Sequence, residues 1–191
     1  MKLLTRLLLA VFLVFVSLPA YCISGPILIM DTEPAESEAF VYGIGPVIKY
    51  KHVKGLDDFE GDMGVFGARA YLGRINDPQF GIMYGMGSVK GEAYKLEVKM
   101  TGATIEDSFR EDPRVRWRVT CGIGNYDYTS RASSRSLKSS SFGFLEPQIV
   151  GVLPLSRHIV LEFALGYTFT NTKGVRLEGV AFNSELLLGR F

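Results

Sequence analysis

The chain has 191 residues and sets 21 Lys and Arg against 20 Asp and Glu, a formal net charge of +1. That balance excludes a general electrostatic pull toward nucleic acid. Two cysteines, Cys22 and Cys121, are too few for a disulfide framework, and no CxxC or paired Cys/His spacing offers a metal or cofactor site.

Taken in chain order, the first segment is "MKLLTRLLLAVFLVFVSLPAYCIS". Lys2 and Arg6 precede an apolar run from Leu7 to Val16, then Pro19 and small residues. This pattern predicts a secretory signal peptide over residues 1–22, cut between Ala20 and Ser24. The run is shorter than the roughly 20 residues a membrane helix needs. Tyr21 stands where a bacterial lipobox would place a small residue, so acylation at Cys22 is not expected. Residues 25–38, with two prolines and an acidic cluster, read as an N-terminal tail; residues 39–191 form the remaining domain.

That domain reads as eight strands of roughly 9–13 residues, the length tilted strands need to cross a bilayer. "AFVYGIGPVIKYK" puts Phe40, Tyr42, Ile44, Ile48 and Tyr50 opposite Gly43, Gly45, Lys49 and Lys51. "GVFGARAYLGR" sets Phe66, Ala68, Ala70 and Leu72 against Arg69. "QFGIMYGMGS" sets Phe80, Ile82, Tyr84 and Met86 against glycines. "YKLEVKMT" alternates at every step, with Tyr94, Leu96, Val98 and Met100 opposite Lys95, Glu97, Lys99 and Thr101. "RVRWRVTCGIG" opposes Val115, Trp117, Val119, Cys121 and Ile123 to Arg114, Arg116 and Arg118. "SFGFLEPQIVGVL" places Leu145 and Ile149 against Glu146 and Gln148. "IVLEFALGYTFT" opposes Ile159, Leu161, Phe163, Leu165, Tyr167 and Phe169 to Glu162, Ala164, Gly166, Thr168 and Thr170. "VAFNSELLLGRF" is the eighth. Pro46 and Pro147 each remove a ladder hydrogen bond, so those two segments are weaker as strands or contain bulges.

The connections "GLDDFEG", "KGEA", "SRASSRSLKSSS" and "NTKGVRLEG" fall at one end. "INDPQ", "GATIEDSFREDP" and "PLSRH" fall at the other, and residues 102–113 are long for a periplasmic turn. The apolar faces are bulky and aromatic, with Tyr42, Tyr50, Tyr84, Tyr94, Trp117 and Tyr167 toward segment ends. The polar faces mix glycine with long charged residues. Small and charged side chains together suit a crowded barrel interior, and aromatic rings suit a membrane interface. The expectation is therefore apolar faces toward lipid and charges inward. The opposite arrangement, a soluble exported barrel binding an apolar ligand, is the alternative.

The last residue of the eighth segment is Phe191. With this terminal aromatic and the eight segments, the chain resembles the small eight-stranded outer-membrane barrels of the OmpX/Ail and OmpA transmembrane-domain type. The resemblance is one of pattern over residues 39–191. It implies an all-β, closed antiparallel up-and-down transmembrane barrel in the bacterial outer membrane. It also implies a monomer in contact with outer-membrane lipid and lipopolysaccharide, with Phe191 as an assembly signal for the barrel-assembly machinery. Counting back by twos from Phe191 gives Gly189, Leu187, Glu185 and Asn183, less apolar than that family's final strand. A bulge near Leu186–Leu188 is expected to restore the phase.

Eight strands leave an interior just wide enough for side chains. The charges assigned inward are Lys49, Arg69, Lys95, Lys99, Arg114, Arg116 and Arg118 against Glu97, Glu146 and Glu162. Because unpaired buried charge is costly, they are expected to form a salt-bridged plug; a basic passage for small anions is the alternative. Arg131, Arg135 and Lys138 of the serine-rich loop are candidates for lipopolysaccharide phosphates. "DDFEGD", with Asp57, Asp58, Glu60 and Asp62, lacks EF-hand spacing and reads as a solvated acidic loop. The function expected is structural or surface-binding through external loops. A lipid A-modifying enzyme is the other-class alternative, but His52 and His158 are the only histidines. Although Ser156 neighbours His158, no nucleophile–base pattern stands out.

Overall fold

The computed structural model describes residues 40–54, 60–74, 77–109, 112–131, 136–172 and 175–191, without the side chains of residues 112 and 113. The expected signal peptide and tail, and Asp57, Asp58 and Arg135, lie outside the described residues. Eight strands follow one another: β1 Phe40–Lys54, β2 Glu60–Arg74, β3 Gln79–Lys90, β4 Tyr94–Phe109, β5 Asp112–Ser130, β6 Ser136–Ser156, β7 Ile159–Thr170 and β8 Gly179–Arg190. Each pairs antiparallel with its sequence neighbour, and β1 closes on β8. The fold is a closed up-and-down barrel, which leaves no sheet edge running its length.

The strands coincide with the eight periodic segments but are longer where the sequence shows polar loops. Residues 102–113, read as a long turn, are mostly strand: β4 runs to Phe109 and β5 begins at Asp112. The serine-rich stretch is likewise strand from Ser136 onward. In both places polar residues fall on both faces, so the period-2 signal is weak although the ladder is continuous.

The two prolines interrupt ladders without shifting them. Pairing of β1 with β8 lapses between Ile44↔Leu188 and Val47↔Glu185, and that of β6 with β7 between Leu145↔Phe169 and Gln148↔Gly166. Register is the same on both sides of each gap, so no bulge forms at either proline. Backbones crowd there instead. A Cβ on Gly45 would fall 1.8 Å from the Leu186 carbonyl oxygen, and one on Gly166 2.5 Å from that of Pro147. Only glycine fits so close an approach.

Phe40, Tyr42, Ile44 and Ile48 of β1 face outward and are exposed, as are Phe66 and Leu72, Phe80, Ile82 and Met86, Ile123, Leu145 and Ile149, Leu165 and Phe169, and Val180 and Leu188. From Phe40 to Tyr50 is ten residue steps. At about 3.3 Å per residue and a tilt of about 40° that is a belt about 25 Å tall, the height of the apolar band on transmembrane barrels. The sheet is wrapped in a surface suited to lipid.

Candidate functional site

Inside the barrel, side chains stack in three layers. In the lowest, Arg69 of β2 and Arg118 of β5 each donate to the same three carboxylates, Glu106 of β4, Glu162 of β7 and Glu185 of β8. Arg69 Nε lies 2.6 Å from Glu185 Oε2, Nη1 2.9 Å from Glu106 Oε2, and Nη2 2.6 Å from Glu162 Oε2. Arg118 Nε lies 2.6 Å from Glu106 Oε2 and Nη1 2.7 Å from Glu185 Oε1, while Nη2 donates to Glu162 Oε2. All five side chains are buried. Arg116 adds a third guanidinium, with Nη1 3.6 Å from Glu106 Oε1 and 3.8 Å from Glu162 Oε1. Three guanidiniums thus meet three carboxylates. The planar fork of Arg satisfies several acceptors at once, the condition on which buried ionic groups are tolerated.

The middle layer centres on Glu146. Lys49 Nζ stands 2.8 Å from its Oε1, and Gln148 and Thr168 also donate to its carboxylate. Lys51 Nζ, also buried, donates to the Leu177 carbonyl oxygen in the β7–β8 connection. The top layer carries no charge. Val53, Met63, Val65, Val89, Leu96, Val98, Met100, Tyr126, Tyr128, Phe142 and Phe144 pack into one apolar cluster, joined by Val175 and Leu177 from that connection. Tyr94 stacks on Tyr128 with ring centroids 5.1 Å apart.

This arrangement corrects the reading of β4. Leu96, Val98 and Met100 point into the barrel, and Lys95, Glu97 and Lys99 point out. Lys95 pairs with Glu97 on the outer surface. None of these three charges belongs to the lumen. Arg114 keeps the parity of Arg116 and Arg118 and is exposed near the lower end of β5. The reason on β4 is continuity: Glu106 shares the parity of Leu96, Gly102 and Thr104, so turning Glu106 onto Arg69 and Arg118 turns Leu96 inward as well. Tyr94 accordingly packs on the inner cluster instead of joining an interface girdle.

Of the other residues assigned inward, Lys49, Arg69, Arg118, Glu146 and Glu162 are buried within, and Arg116 is nearly so. Glu106 and Glu185 were not among them. Glu106 hid in a supposed turn, and Glu185 on a face taken as lipid-facing because it shares the phase of Phe191. β7 and β8 pair without a register shift. The expected bulge at Leu186–Leu188 is absent, and the Phe191 ring lies 6.5 Å from that of Tyr71, an inward residue.

A change of chemistry at constant parity runs through the neighbouring strands. Below, β4 shows Ala103 and Ile105 outward and Thr104 and Glu106 inward; above, charges are outward and apolar residues inward. On β5, outward Val119 and Ile123 give way to Asn125 and Asp127, with Tyr126 and Tyr128 inward. On β6, outward Ser139 and Ser141 give way to Leu145 and Ile149. Ser141 Oγ donates to Asn125 Oδ1 at 2.7 Å and Ser136 Oγ to Asp127 Oδ1 at 2.6 Å, an outer polar ladder. Above the belt, β4 to β6 form a wall with water chemistry outside and an apolar core inside.

At the rim, His52 Nδ1 lies 2.8 Å from Asp62 Oδ1 and Nε2 2.6 Å from Glu60 Oε1. Arg131 donates to the Gly91 carbonyl oxygen at 2.9 Å, tying two hairpin tips together. Lys138 is partly buried. His158 Nδ1 meets the Gly189 carbonyl oxygen at 3.2 Å, and Ser156 Oγ accepts the His158 backbone N–H at 3.2 Å.

No family model matches the chain, and no curated protein matches it. Solved structures do. Ail, the attachment invasion locus protein of Yersinia pestis, aligns in complex with the heparin analogue sucrose octasulfate at TM-score 0.51 and 15% identity, over 79% of this chain and 96% of that one. Without the analogue, Ail aligns at TM-score 0.50 and 14% identity, over 81% and 98%. Neisserial surface protein A aligns at TM-score 0.47 and 14% identity, over 78% and 94%. The fold is that of the small outer-membrane β-barrels. The apolar belt and the eight closed strands are what such a barrel requires.

Proposed function

We propose that this protein is an outer-membrane barrel whose lumen is closed and whose role is surface binding, carried by a rigid β-wall standing above the bilayer. The observation that carries the reading is the change of chemistry along β4, from Ile105 out and Glu106 in to Lys99 out and Met100 in. A strand with charges outside and apolar side chains inside is stable in water and not in hydrocarbon, so that part lies outside the membrane. The wall is held by its own apolar core, which makes it a fixed platform instead of a mobile loop. The ionic and apolar layers fill the lumen, which supports a plug over an anion passage.

The Ail structure holds a sulfated sugar analogue. In this chain the exposed Lys95 and Lys99 lie beside Glu97, Asp127 and hydroxyls, a mixed surface suited to a ligand with both charge and hydroxyl groups. Arg131 and Lys138 stand at the same rim and are proposed to reach lipopolysaccharide phosphates. Phe191 is proposed to contribute to recognition by the assembly machinery, and the barrel to act as a monomer. The non-enzymatic reading is supported by the histidines. His52 is held between two carboxylates, and the Nδ1 of His158 faces a backbone carbonyl.

The test is binding by cells that express the barrel to arrays of sulfated, acidic and neutral glycans. Wild type should be retained on at least one surface, and the variant Lys95→Ala/Glu97→Ala/Lys99→Ala should lose that retention while folding normally. Equal behaviour of the two on every surface contradicts a binding role for the wall.

A further inference from the structure

At the opposite rim, two arginines stand on the outer face where the first and last strands meet, and a third, Arg157, lies in the β6–β7 turn of the same rim. Arg74 ends β2 and Arg190 ends β8, so they flank β1 on either side; Phe40 is the register partner of Arg74 and Tyr42 that of Arg190. The Arg74 guanidinium lies 5.5 Å from the centroid of the Phe40 ring, so the side chain runs along the barrel exterior. The Gly189 N–H bonds to the His158 carbonyl at 3.0 Å. This carries β7–β8 pairing one step beyond Ile159↔Leu188, to His158; Arg157 is the other residue of the two-residue turn that joins Ser156 to Ile159 and lies on its β6 side. All three arginines are exposed, and among the described residues none has a carboxylate within ion-pair distance. Asp77, in the turn after β2, is the described acid nearest in sequence; its backbone N–H bonds to the Arg74 carbonyl at 3.3 Å.

Neighbouring strands lie about 4.8 Å apart, so β2 and β8 stand about 10 Å apart across β1. That span lets two guanidiniums close on one phosphate. Immediately above them, Ile44, Leu72, Ile159 and Leu188 form the lower apolar belt. We propose that Arg74 and Arg190 form a clasp for the phosphate of an anionic phospholipid in the leaflet facing the short turns, with Arg157 adding positive charge from the neighbouring turn and the acyl chains lying on the apolar wall above. Arginine suits the task because its planar fork meets phosphate oxygens in pairs while its stem lies along apolar surface. A free phosphate would find the cations but not the chain-binding wall. A bound lipid would bridge β8, β1 and β2 across the closing seam, where Pro46 already interrupts the β1–β8 ladder. The clasp is independent of the binding role proposed for the wall, which stands on the other side of the membrane.

The test is native mass spectrometry of the purified full-length protein titrated in detergent with phosphatidylglycerol and phosphatidylcholine. Wild type should retain phosphatidylglycerol at least about tenfold more tightly, a preference that falls as salt rises. The variant R74Q/R157Q/R190Q should lose the preference, R74K/R157K/R190K should keep part of it, and R176Q at the other rim should match wild type. Heat-modifiable gel migration reports whether each variant is folded. An undiminished preference in the folded glutamine variant overturns the clasp. If that variant does not fold, a wild-type preference that is absent or unmoved by salt overturns it instead. Displacement of the lipid by millimolar inorganic phosphate would make this a free-anion site and overturn the lipid assignment.

Discussion

Arg118 is the side chain on which the lower lumen layer depends most. Its guanidinium reaches Glu106, Glu162 and Glu185, and Arg69 alone cannot replace it. Arg118→Ala leaves buried carboxylates short of counter-charge and should cost about 3–5 kcal/mol in a urea folding titration. Glu97→Ala removes a charge of the same general kind from the outer wall, where its partner Lys95 is in water. It should change stability by no more than about 0.5 kcal/mol. The contrast between the two checks the inward and outward assignments with a single assay. A subtler residue-level effect belongs to Gly45. A methyl there meets the Leu186 carbonyl oxygen at 1.8 Å, so Gly45→Ala must push β8 away at the seam. A loss of about 1–3 kcal/mol is expected from the same titration. Gly166 meets Pro147 in the same way, so its inward face does not make it tolerant of a side chain.

Among the elements, β4 carries most of the argument. Leu96 is fully buried in the upper apolar cluster, so Leu96→Ala should cost about 2–5 kcal/mol. Leu165→Arg on β7 tests the other chemistry. It places a charge in the lipid belt and should cost about 2–4 kcal/mol in membranes, measured by refolding into vesicles. The eight strands were legible because period-2 alternation survives wherever one face is greasy, and β7 was read to the residue. What alternation cannot supply is its sign. "YKLEVKMT" splits two chemistries cleanly, yet the same pattern arises with lipid outside and ions inside, or with water outside and an apolar core inside. β4 uses the second arrangement above the belt and the first below it, and the switch hides where Thr101 to Ala103 are small and ambiguous. The ionic cluster was half legible. Arg69, Arg116, Arg118 and Glu162 stood out against apolar neighbours, whereas Glu106 sat among acids and a proline that imitate a turn. Glu185 shares the phase of Phe191, a terminal aromatic that the pattern assigns to lipid, whereas the Phe191 ring leans toward Tyr71.

For the whole molecule, the proposed closed lumen rests on two kinds of layer. Charge pairs tie β2, β4, β5, β7 and β8 across the lower lumen, and the apolar cluster packs with Val175 and Leu177 at the upper end. Purified protein in planar bilayers should therefore show no large steady ion current. A sustained anion-selective conductance would favour the passage instead. The central claim, that β4 to β6 leave the membrane while keeping parity and exchanging faces, has a more direct test. Spin labels placed singly at outward positions 103, 123 and 145 and at 99, 125 and 141 in reconstituted vesicles report collision with oxygen in lipid and with a nickel chelate in water. Oxygen should dominate at the first three and the chelate at the last three, with the crossover between Ile123 and Asn125 on β5. Oxygen dominance at 99, 125 and 141 would place those charges and hydroxyls in lipid and contradict the account.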